Sequence, residues 1–200
     1  MSKVYFLCWK ESPNKPTYSV FSRNKTGIAH ELIPVLDGKN EYNEEFYFRK
    51  IFVGQDGLVY EDTEESDPVW QDYPPNEFAW PIVSEKLHNI IINNTSHIDE
   101  IDFIKISISH FGKANSYYIL RFNKLHDIID VENTLYVEGT NRIIRPCFKE
   151  IAFDNIQIAS KPDNYNLWKI TSGIYVSDKF RKEIIREKID GIEFSRAKSK

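Results

Sequence analysis

The chain has little of what usually announces a function. Its 200 residues include two cysteines, one methionine and eight glycines. Cys8 and Cys147 lie far apart with no Cys-x-x-Cys spacing, so the sequence encodes neither a disulfide framework nor a zinc ribbon. Both sit in apolar stretches and read as reduced, buried thiols of a cytoplasmic protein. No apolar run approaches the roughly eighteen residues of a membrane span, and Val4–Trp9 is too short for the core of a signal peptide. Surplus positive charge is lacking as well. With 26 basic and 30 acidic residues the net charge is −4, and a nucleic-acid binder needs a cationic stripe to neutralise phosphates.

Motifs of group transfer and hydrolysis are missing too. Gly38-Lys39 and Gly112-Lys113 each lack the upstream glycine and following hydroxyl residue of a phosphate-cradling loop. There is no dinucleotide fingerprint and no Gly-x-Ser-x-Gly elbow, and His30-Glu31 is not followed by a second histidine. The expectation is a protein without a cofactor. Two chemical alternatives remain open. His126, Asp127, Asp130 and Glu132 could serve a metal- or carboxylate-dependent enzyme, or simply form a solvated turn. Cys147 with a histidine could make a nucleophile pair, although Arg142–Phe153 reads as a strand carrying a buried thiol.

What is present is a well-filled interior. Hydrophobic residues make up 41% and aromatics 14%, and isoleucine (26) far outnumbers leucine (9). Such side chains fit pleated surfaces. The expected class is α+β: a β-rich N-terminal half, then a mixed sheet with two short amphipathic helices. Strands are expected at Val4–Trp9, Thr17–Phe21, Glu45–Val53, Leu58–Tyr60, Ile101–Ser109 and Tyr117–Phe122, with turns at Asp37-Gly38 and Gly54–Gly57. A hairpin at Glu138–Asn141 should join Thr134–Val137 to Arg142–Phe153. The helices follow two similar runs, Ile82-Val83-Ser84-Glu85-Lys86-Leu87 and Tyr175-Val176-Ser177-Asp178-Lys179-Phe180. Each reads as strand, serine N-cap, first-turn acid, then helix, the first ending at Asn93-Asn94 and the second near Asp190-Gly191. Ile192–Phe194 should return as a strand. The organisation read from this pattern is a subdomain over 1–75, an α+β domain over 76–195 and a polar tail over 196–200.

Charge is unevenly spread. From Ile51 to Glu85 there are nine acids and no Lys or Arg. Glu61, Asp62, Glu64, Glu65, Asp67, Trp70, Asp72 and Tyr73 together read as a loop, with a possible helical turn at Val69–Asp72. An anionic segment bearing aromatics suits protein binding, since charges steer encounter and rings anchor it. A plain solubilising loop has the same composition.

The second half of the chain carries a resemblance. Trp80–Leu87, Tyr117–Phe122, Ile128–Asn133, Ile151–Asp154, Leu167–Ile170, Ile174–Ser177 and Asp190–Phe194, in that order and spacing, resemble a family of bacterial immunity proteins encoded beside polymorphic toxins. The resemblance covers about residues 78–195. The chain departs from it at Asn133-Thr134, where a serine is usual, and at Trp168, where a phenylalanine is usual. It implies a cytoplasmic, non-enzymatic protein that neutralises a cognate toxin domain by binding it. The charge balance and the lack of a long apolar run point to no nucleic-acid or membrane partner, and the oligomeric state is open. A scaffold subunit of an unrelated complex is the remaining alternative.

Overall fold

The computed structural model describes residues 3–10, 17–22, 46–61, 69–76, 78–160 and 173–200. In chain order its elements are β1 (Val4–Trp9), β2 (Thr17–Ser22), β3 (Phe46–Val53), β4 (Val59–Glu61), β5 (Ile82–Ser84), α1 (Glu85–Asn94), β6 (Ile101–His110) and β7 (Lys113–Phe122). There follow β8 (Leu135–Tyr136), β9 (Ile143–Arg145), a 3-10 helix (Glu150–Asp154), β10 (Ile158–Ser160), β11 (Ile174–Ser177), α2 (Asp178–Arg186) and β12 (Ile192–Arg196). The architecture is α+β and β-rich. The expected turn at Asp37-Gly38 and the stretch Leu167–Ile170 lie outside the described residues.

Two sheets organise the molecule. One has the order β10-β11-β1-β12, antiparallel throughout; the other runs β2-β3-β6-β7-β5, with β4 paired to β3. Chain segments from both sides of residue 75 share the first sheet: Val4 lies opposite Ser177 and Tyr5 opposite Arg196. The helices sit with the core that joins the sheets. Leu87 and Ile91 of α1, and Phe180 and Ile184 of α2, fall four apart on one helical face and pack with Leu7, Val83, Leu120 and Val176. Each fully buried side chain of this size contributes roughly 1.5–3 kcal/mol.

The outer faces of the two sheets have their own cores. Tyr18, Phe46, Phe48, Ile106 and Ile108 pack under Trp70, Phe78 and Trp80. On the other sheet Val4, Phe6 and Tyr175 pack against Ile128, Ile129, Phe148 and Phe153. The strand expected over Arg142–Phe153 stops at Arg145. Pro146 has no N–H for a ladder, and Glu150–Asp154 winds into the 3-10 helix, which buries Phe153 and leaves Ile151 exposed. Cys147 therefore lies outside any strand. The second helix also ends early, at Arg186, with a left-handed turn at Lys188 (φ 52°) before Gly191.

The C-terminal residues, polar in sequence, are bound along their length. Ala197 N–H donates to Val4 O, and Phe148 exchanges hydrogen bonds with Lys198 O and Lys200 N. Among the described residues no helix is long and apolar enough to cross a membrane.

Candidate functional site

Of the eight residues singled out in the acidic segment, the structure describes Glu61, at the end of β4, and Trp70, Asp72 and Tyr73. Asp62, Glu64, Glu65 and Asp67 lie outside the described residues. Val69–Asp72 forms no helical turn, since Pro74 and Pro75 follow and the segment is pinned by contacts from elsewhere.

Asp72 is a brace. Its Oδ1 accepts from Ser84 Oγ at 2.5 Å, its Oδ2 accepts from the Asp190 N–H at 2.9 Å, and its carbonyl accepts from the Ser84 N–H at 2.8 Å. One short side chain thus ties the acidic segment to the start of α1 and to the loop before β12. Tyr73 is interior, only 6% exposed, with its ring 6.1 Å from that of Trp9. Burial pushes its phenol well above the ordinary value, and the nearby Cys8 adds to this. Gly191 is required beside it: φ is +81°, and a Cβ there would lie 2.7 Å from the Tyr73 carbonyl oxygen. Trp70 is half-buried, stacked edge-on against Phe48 at 4.9 Å and tilted against Tyr117 at 6.5 Å. Tyr117 closes the arrangement by donating its hydroxyl to Gln71 O at 2.8 Å. Its phenol is also raised, by burial first and then by the Asp72 charge.

Trp70, Asp72 and Tyr73 therefore fasten the acidic segment from inside. The apolar side chains that face water beside it are others: Leu58 and Tyr60 on the β3–β4 hairpin, and Val69 just before Trp70. The Tyr60 hydroxyl donates to the Asp56 carboxylate and holds that acid below its usual range. The strand expected at Leu58–Tyr60 is β4, shifted by one residue to Val59–Glu61. The usable signal was alternation around the Gly54–Gly57 turn, which places Leu58 at the exposed tip.

The possible chemical cluster at 126–132 is pulled apart by separate partners. His126 Nε2 lies 3.2 Å from Asp99 O, Asp127 pairs with Lys149 at 2.7 Å, and Asp130 accepts from the Asn133 backbone and side chain. The segment is neither the helix nor the regular strand that would align these groups on a face. Among the described residues no three His, Cys, Asp or Glu side chains come together as metal ligands would. Cys147 is buried, its N–H donating to Thr134 Oγ1 at 2.9 Å, and desolvation raises its thiol. Both cysteines are free thiols.

No curated protein matches the chain. A protein-family model, Immunity protein 43, matches residues 59–199. That span takes in β4, the acidic segment, both helices and the C-terminal strand, and begins well upstream of the resemblance noted in the sequence. The chain belongs to the Immunity protein 43 family.

Proposed function

We propose that the protein binds the toxin domain encoded beside it in a bacterial genome and blocks it by covering its surface, with no catalytic step. The observation that carries this reading is membership of an immunity-protein family across most of the chain. The charge pattern supports a basic partner face, because nine acids and no Lys or Arg lie between Ile51 and Glu85. Glu61, Asp62, Glu64, Glu65 and Asp67 form the steering rim of the interface. Half-buried Trp70 contributes to it, while Asp72 and Tyr73 keep the segment in place from below. The complex forms in the cytoplasm, where the toxin would otherwise act.

Co-expression with the C-terminal domain of the neighbouring gene's product tests the reading: growth should be restored. Continued arrest, with the two proteins failing to co-purify, would sink it. Reversing Glu61, Asp62, Glu64 and Glu65 to lysine together should slow association at least ten-fold at low salt and flatten its salt dependence. An unchanged affinity and salt slope would remove the acidic segment from the interface.

A further inference from the structure

The pairing of β3 brings two separate hairpins to one end of the larger sheet. Tyr47 pairs with Phe21 of β2 on one side and with Ser109 of β6 on the other; Ile51 pairs with Thr17 of β2 and with Glu61 of β4. Since β2 takes one edge of β3, β6 and β4 follow one another along the opposite edge. The four-residue step from Tyr47 to Ile51 spans about 13 Å. Because β6 runs parallel to β3, its C-terminal end, and with it the tight β6–β7 turn, points toward β4. The tips of both hairpins and the start of the acidic segment thus share one end of the sheet.

The β6–β7 turn is unusual in its chemistry. His110 pairs with Lys113, leaving Phe111 and Gly112 as a two-residue connection with φ of 41° and 79°. A turn with both central residues at positive φ is the hairpin turn that favours Asn-Gly, whose first residue tolerates the left-handed region. Here the first position carries phenylalanine, 59% exposed, its ring edge-on to His110 at 4.6 Å. Neither backbone preference nor core packing accounts for a bulky aromatic there. Leu58 at the neighbouring tip is also 59% exposed.

We infer that this end of the sheet, with Phe111 as its central anchor and Leu58 as a second anchor on the other hairpin, is a docking surface for a cationic protein face holding an apolar pocket. The occupant is the toxin domain, so the inference rests on the toxin-blocking reading and adds the site of firm contact. Its positive charge follows from the base-free acidic run that begins at this same end. The acids set the encounter; Phe111 and Leu58 set the lifetime of the complex.

The test compares binding of the purified toxin domain by the full-length chain and three variants, with melting temperatures measured in parallel. Phe111→Asn removes the ring and suits the backbone, so its melting temperature should hold or rise while dissociation quickens at least ten-fold. Leu58→Ser, a second probe on the other hairpin, should quicken dissociation a few-fold. Leu135→Ser, on the exposed β8–β9 hairpin beyond the other sheet, should change nothing. If Phe111→Asn and Leu58→Ser dissociate as slowly as the wild type, the surface is wrong while toxin binding stands. Equal losses in all three variants would also overturn it. A wild-type chain that neither binds nor protects ends both readings.

Discussion

At the scale of single residues, composition and structural role come apart inside one short stretch. Asp72 contributes a charge to the acidic run, yet both its carboxylate oxygens are used within the molecule. Asp72→Ala would leave the Asp190 N–H and the Ser84 hydroxyl without their acceptor, a cost of about 1–3 kcal/mol readable by urea denaturation. The same variant should leave the low-salt association rate with the toxin domain within about two-fold. Asp72 would then behave unlike Glu61 and its neighbours. Tyr73 and Trp70 make a related point. An aromatic residue in an acidic stretch looks like an anchor for a partner, but the same ring can fill the protein's own core, and sequence does not say which. Tyr73 is closed in by Trp9 and by Gly191, residues far from it in the chain. The outward-facing side chains, Leu58 and Phe111, stand at turns; alternation beside Gly54–Gly57 marks the first, and no hydrophobic periodicity marks the second.

At the scale of elements, the local signals were legible. Ser84 Oγ accepts from the Leu87 N–H at 3.2 Å and Ser177 Oγ from the Phe180 N–H at 3.1 Å, so both helices start where a serine followed by an acid says they should. The two caps differ in their second bond. Ser84 donates to Asp72, whereas Ser177 donates at 2.7 Å to Gln157 Oε1, a residue 9% exposed. Ser84→Ala should cost about 1 kcal/mol from the lost cap and more from Asp72; Ser177→Ala should cost about 2–3 kcal/mol, since it strands a buried amide oxygen. Thermal denaturation of the pair checks the order. Elements without a local signature were less legible. β7 begins at Lys113, four residues before its apolar part, because Lys113–Ser116 is exposed and shows no alternation. Phe148, Ile151 and Phe153 resemble strand positions, but Pro146 breaks the ladder, Phe148 makes only isolated bridges to Ile129 and Ser199, and a 3-10 turn buries Phe153.

For the molecule as a whole, the C-terminal residues act as a structural strap. Phe148, fully buried, is hydrogen-bonded on both its N–H and its carbonyl to residues 198–200, and Glu150 N–H donates to Lys200 O. Deleting residues 197–200 removes these bonds and the Ala197–Val4 bond, and should lower stability by about 3 kcal/mol in chemical denaturation. An unchanged midpoint would mean that the strap is ornamental. A lysine- and serine-rich ending gives no hint of this, because the bonds are made by its backbone.

The position of β1 has one further consequence. Of the described strands it is translated first, yet its two neighbours in the sheet, β11 and β12, are among the last. Closing a loop of that length is entropically slow. A chain terminated before β11 would therefore leave the ribosome with β1 unpaired and the four-stranded sheet unbuilt, while every strand of the larger sheet is already present by Phe122. Such an arrangement makes completion of the smaller sheet wait for the synthesis of Ile192–Arg196.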